Sequence, residues 1–224
     1  MTDDEIKALL TELETALFDD VQAALALTSD EFIEALDGAT ELTAARFSVS
    51  GIRDMWRRRV GPIMTRLRSI TGRAAEAVAD DLGTELPDGW DEPLGAYVEA
   101  TEALLTAVGD RLAAEATEAL AQGLNAGEET DALRSRLAAV FATDGTQLGE
   151  GRAARIAMTE ATRAWNAGTL AAAQALTGPD RPLVKQWLTR NDERVRVAHR
   201  DVNGQLQLLD DPFDVGGTPM MYPG

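Results

Sequence analysis

Ile6, Leu9, Leu10, Leu13, Leu17 and Val21 recur at intervals that favour three and four residues. That spacing constrains the fold of this chain more than any other feature. It places six apolar side chains along one stripe of an α-helix; a strand puts alternate residues on one face. The same texture continues through the first 176 residues, where Ala, Leu, Glu and Arg dominate, all good helix formers. "TDDE" (Thr2 to Glu5) and "TSDE" (Thr28 to Glu31) both have capping-box spacing and are read as helix starts. A second helix is expected over roughly 30–45 and a third after Ser50. Gly61-Pro62 is the expected kink in the third, because proline lacks a backbone donor and clashes one turn back.

"GTELPDGWDEP" (Gly83 to Pro93) clusters the loop formers Pro, Gly and Asp. Helices are then expected from about Pro93 to Leu124, from "NAGEE" to about Ala142, and through "RAARIAMTEATRAWNAGTLAAAQAL". After "TGPDRP" the pattern changes. "LVKQWLT" (Leu183 to Thr189) has strand composition and length, "DERVRVAHRDV" reads as a short helix, and Asn203-Gly204 is a strong turn signal. "QLQLL" alternates like a half-buried strand, and "DDPF" and "VGG" read as loop. The expected fold is mainly α, with an elongated helical body over 1–147 and a small C-terminal α+β unit over 148–224.

The charge of −17 is unevenly laid out. Residues 1–45 sum to −11, 46–73 to +7, 74–150 to −14 and 151–224 to +1. An arginine band over 46–73 therefore lies between two acidic blocks. Arg53, Arg57, Arg58, Arg59, Arg66 and Arg68 are candidates for contact with a partner or with DNA, since guanidinium forks match phosphates and carboxylates. Trp56 among them suits base stacking or a core. Pairing with the chain's own acidic helices, or with an acidic partner, is the favoured reading. The acid surplus elsewhere competes with DNA for the same cations.

The chain has no cysteine, which excludes disulfides, thiolate metal sites and cysteine nucleophiles. The start, "MTDDEIKALL", has no basic or apolar region of a signal peptide, and no apolar run reaches the roughly 18 residues of a membrane span. A soluble protein with no membrane partner is expected. No phosphate-binding glycine motif is present, so no nucleotide cofactor is expected.

Two polar groups carry the remaining chemistry. Thr159, Glu160, Arg163 and Asn166 can form a polar cluster on the last long helix; Glu160 suits a general base or an arginine anchor, and the favoured reading is a helix that ties the C-terminal unit to the body through buried polar bonds. His199 is the only histidine. Asp192, Glu193, Asp201 and Asp210 are within sequence reach of it, yet they lack a recognised metal spacing, and the C-terminal unit has no serine for a triad. His199 is expected to bond the backbone and fix the turn at "DVNGQ".

The segments "ARIAMTEATRAWNAGT", "QWLTRNDERVRVAHRDVNGQ" and "LLDDPFDVGGTPMMYPG", in this order, resemble the phage head morphogenesis family, the Mu F-like or SPP1 gene-7-like minor head protein domain. The residues carrying the likeness are Thr159, Glu160, Asn166 with Ala167-Gly168, Trp187, Thr189, Asp192, Arg194, His199, Asn203, Gly204, Phe213, Gly217 and Tyr222-Pro223-Gly224. The resemblance implies a non-enzymatic structural protein of the virion, inside the capsid near the portal and present in several copies. It is expected to act in head assembly and in DNA packaging or ejection. The implied partners are the portal protein, the major capsid protein and packaged DNA. The alternatives are a DNA contact through the arginine band and a metal-dependent enzyme centred on His199. Many relatives have an arginine where this chain has Met158, and cysteines near the histidine that this chain lacks. The family pattern usually runs on past Gly224, which points to a truncated or processed product.

Overall fold

A computed structural model describes residues 2–37, 49–142, 151–189 and 195–223. Its long elements are helices: α1 (Asp3–Asp37), α2 (Val49–Asp81), α3 (Leu94–Asn125), α4 (Thr130–Ala142) and α5 (Gly151–Leu176). The C-terminal part adds β1 (Val184–Gln186), the short α6 (Val197–Asp201), β2 (Leu206–Leu208), β3 (Phe213–Val215) and β4 (Thr218–Met220). The chain is therefore mainly α with a small α+β end. Among the described residues no helix is long and apolar enough to cross a membrane.

The start of α1 is a capping box. Thr2 N donates to Glu5 Oε2 at 2.7 Å, and Glu5 N donates to Thr2 Oγ1 at 3.3 Å. The second expected start is absent. α1 runs straight through Thr28, whose buried hydroxyl donates back to Ala24 O at 2.7 Å. The helix expected over 30–45 is thus the end of α1 as far as Asp37, and 38–48 lie outside the described residues. α2 also continues unbroken past Pro62.

The residues group into two compact units. One collects Met1–Glu14, Leu67–Tyr97 and Thr159–Gly224; the other collects Thr15–Arg66 and Val98–Met158. In the second unit the apolar stripe is used as its spacing requires: Leu17, Val21 and Phe32 of α1 are buried. Trp56 of α2 is buried as well, and its Nε1 donates to Leu105 O of α3 at 2.7 Å. Gly109 admits that ring, since a Cβ there would lie 2.7 Å from Trp56 Cδ1.

In the first unit α5 packs through alanines. Ala161, Ala164, Ala167, Ala171 and Ala172 are buried, as are Ala74 and Ala75 of α2. Gly168 sits against the α2 backbone: a Cβ placed there would strike the Thr71 carbonyl oxygen and come within 2.8 Å of Thr71 Cα. Beyond α5, β1 and β2 pair antiparallel with Val184 opposite Leu208, and β3 and β4 with Phe213 opposite Met220. The second hairpin replaces the loop expected at "DDPF" and "VGG". Gly216 and Gly217 form its turn at φ of 61° and 87°, where other residues are strained.

Candidate functional site

The residues singled out in the C-terminal part form two neighbouring constructions in the first unit. The first is a polar staple on α5. Glu160 is buried and accepts from Arg163 Nη1 at 3.0 and 3.1 Å, the three-residue helical spacing placing the two groups side by side. The Arg163 guanidinium carbon lies 5.9 Å from the centre of the Tyr97 ring. One turn on, Asn166 Nδ2 donates to Pro223 O at 3.0 Å and ties the C-terminal segment to the helix. Burial raises the Glu160 carboxyl above its ordinary 4.5, with Arg163 pulling the other way. Burial likewise raises the Tyr222 hydroxyl, which feels both Arg163 and Glu160. Thr159 is exposed and stands apart from this group.

The second construction is an apolar knot. Trp187, Val202, Phe213 and Val215 are buried together, with Ala198 and Met220 packed against them. The Trp187 and Phe213 rings meet edge to face at 5.2 Å. His199 rests on Trp187 at 5.5 Å between ring centres. Lys185 closes another side: its Nζ lies 5.4 Å from the Phe213 ring centre and donates to Leu209 O at 2.9 Å. Burial lowers the Lys185 ammonium below its ordinary range, while Asp210 and Asp211 oppose the shift. Trp187 Nε1 is buried and has no hydrogen-bond partner among the described residues.

Asn203 holds the turn after α6. Asn203 Oδ1 accepts from Thr189 N at 2.9 Å and from Thr189 Oγ1 at 3.1 Å. Gly204, at φ 84°, donates its N–H to Trp187 O at 2.7 Å, and Trp187 N donates to Gln205 O at 3.0 Å. These bonds clamp the strand bearing Trp187 to the turn. The contact seen for the His199 ring is instead the Trp187 face. At the other turn, Gly217 N donates to Asp214 Oδ1 at 2.7 Å. Asp192 and Arg194 lie outside the described residues, and the expected helix over "DERVRVAHRDV" is described only from Val197 to Asp201.

The candidate enzyme residues that are described are engaged separately, and Asp192 and Glu193 lie outside the described residues. Glu160 is engaged by Arg163, Asp210 Oδ1 accepts from Gln174 Nε2 at 2.7 Å, and Asp201 is exposed. Among the described residues no group of three His, Cys, Asp or Glu is placed to hold a metal ion.

The arginine band lies mainly in the second unit, facing that unit's own acids. Arg58 and Arg59 both reach Glu31, Arg59 at 2.6 Å. Arg66 Nε donates to Asp20 at 2.7 Å, Arg53 meets Asp110 at 2.6 Å, and Arg57 lies 3.5 Å from Asp54. Arg68, in the first unit, is exposed and has no ion pair among the described residues.

Sequence reasoning did not find Tyr97, Lys185 or Asp214. Tyr97 arrives from a distant helix, and no local pattern announces it. Lys185 had a usable signal, a cation between the apolar Val184 and Trp187 on a strand.

A family model described as Phage Mu protein F like protein matches residues 114–223, just under half of the chain. No curated protein and no solved structure matches the chain.

Proposed function

From the membership of residues 114–223 in the phage Mu F-like head morphogenesis family, we propose that this chain is a minor structural protein of the phage head. It sits inside the capsid against the portal and acts in head assembly and in DNA packaging or ejection. The observation that carries this reading is the use made of the family-pattern residues. Asn166, Trp187, Asn203, Gly204, Phe213 and Gly217 fasten a C-terminal segment and shape its turns. Such an arrangement suits a docking module whose shape is held by packing and by backbone turns.

The arginine band supports the same reading. Arg53, Arg58, Arg59 and Arg66 are engaged by acids of their own unit, so DNA would have to displace those carboxylates. We assign the band to holding helices together.

Mass spectrometry and protease protection on purified virions test the proposal. The chain is expected in DNA-filled heads, shielded until the capsid is opened, and missing from heads assembled without the portal protein. Its absence from virions, or full digestion in intact particles, overturns it. Salt-sensitive DNA binding that is lost on joint Arg57→Ala, Arg58→Ala and Arg59→Ala substitution would instead assign the band to DNA.

A further inference from the structure

We propose that the outer face of the β1–β2 hairpin is a self-association surface. A second copy of this chain docks there about a two-fold axis, each copy's Leu206 and Leu208 entering the other's groove beside Val184.

The hairpin is built the wrong way round for a solvated one. Val184, Leu206 and Leu208 point outward at 55, 62 and 60 % exposure, while Lys185 and Gln207 are the half-buried residues between them. A ribbon with one wet face ordinarily turns its polar residues out. Val184 pairs directly with Leu208, so these apolar groups are contiguous. Of seven exposed large hydrophobic residues described in the chain, five fall between 184 and 208. Such concentration marks an interaction surface, whereas scattered apolar residues do not. Among the described residues β1 and β2 have no further strand beside them.

The receptor for these side chains lies on the same face. Ile6, Val78, Leu82, Trp165 and Val184 line a groove of about 250 Å³ within the first unit, with Asp81 also in its wall. That is smaller than the roughly 300–1,000 Å³ of small-molecule sites, and it suits a few inserted side chains. Val184 belongs to both the groove and the apolar ribbon. Knob and hole are therefore joined on one surface, as an isologous contact requires.

Charge selects the occupant. Residues 177–211 hold six acids and six bases, a net charge of zero, so the other 189 residues carry the whole −17. A basic partner is drawn to the acidic helices, and an acidic one gains nothing here. A second copy meets, at this strip, acids and bases in equal number, so the net repulsion between the acidic remainders of the two chains is absent there. Elsewhere the two acidic chains repel, so association must strengthen as salt screens them.

Sedimentation equilibrium of the full chain, at low and high salt, tests the proposal without reference to any phage particle. A monomer–dimer equilibrium is expected in the micromolar range, with a lower dissociation constant in about 0.5 M than in about 0.05 M NaCl. Leu206→Asp with Leu208→Asp should raise that constant at least tenfold and leave the helical circular dichroism unchanged. Because the chain has no cysteine, Leu206→Cys alone reports on geometry. It should form disulfide-linked dimers far faster than Leu104→Cys, an exposed position in the other unit. A wild-type chain that stays monomeric at about 200 µM, an association that salt weakens, or a dimer indifferent to both aspartates would each overturn the proposal.

Discussion

The arginine-bound helices of the second unit and the C-terminal knot of the first hold themselves together by opposite means. In the former, Arg53, Arg58, Arg59 and Arg66 span helices to reach Asp110, Glu31 and Asp20, and these pairs stay partly exposed. Each such contact contributes little and is screened by salt, so the set tolerates the loss of one member. In the latter, a few groups carry everything. Trp187 is enclosed by Phe213, Val202 and Val215, and its strand is clamped by Asn203 and Gly204. The acidic, arginine-crossed body is robust by redundancy; the knot is specific and brittle.

The largest effect should come from the knot. Trp187→Ala is expected to cost about 3–5 kcal/mol in chemical denaturation, as removal of a buried large aromatic does. Trp187→Phe keeps an aromatic ring and removes the Nε1–H, which has no partner among the described residues, so its cost should be far smaller. Equal losses from the two would break the assignment of Trp187 to packing.

Next comes the α5 contact. Gly168→Ala drives a methyl group into the Thr71 backbone and should cost about 1–3 kcal/mol in thermal unfolding. Gly72→Ala, where an added Cβ meets nothing within 4 Å, should instead be neutral or stabilising by up to ~1 kcal/mol. A reversal of the two would refute the close approach.

The ion pairs rank lower. Glu31→Ala releases Arg58 and Arg59 together and should still cost only about 1 kcal/mol, less at 1 M salt. A loss rivalling Trp187→Ala would erase the contrast between the units.

The finest test is the sign of a pH effect. Burial raises Glu160, so the folded chain takes up its proton before the unfolded chain does. The stability that goes with the protonated form is full below about 4.5 and is lost as pH rises through the folded value. Arg136 lowers Glu128, so that pair's contribution is present above about 4.5 and is lost as pH falls. In unfolding titrations, relative to the parent, Glu160→Gln should therefore gain stability as pH rises above about 4.5, and Glu128→Gln should gain it as pH falls below about 4.5.

Much of the helical frame was legible. Propensity and loop chemistry placed α3, α4 and α5 within a few residues. "TSDE" misled because a threonine that caps a helix and one that bonds back to the fourth preceding carbonyl look alike locally. Burial of Thr28 inside α1 decided between them. The β3–β4 hairpin escaped because three-residue strands carry too little alternation to stand out from a Gly-Gly loop. Glu160 and Arg163 were readable from helical spacing. Tyr97 and Pro223, which complete their surroundings, are brought in by long-range packing that no local window contains. The place of the His199 ring against Trp187 is a fact of packing that no local window shows.

The contact between Gly168 and Thr71 also acts as a register pin. Alanine-lined helices are smooth, and smooth surfaces slide. An α-helix can shift along a neighbour only by steps of about 1.5 Å and 100° per residue, and each neighbouring step would bring the Cβ of Ala167 or Thr169 toward the place the glycine leaves free. One missing methyl group therefore selects a single axial setting of α5 on α2. Every residue hung from α5, from the Arg163 guanidinium to the bond that holds Pro223, inherits its position from that notch.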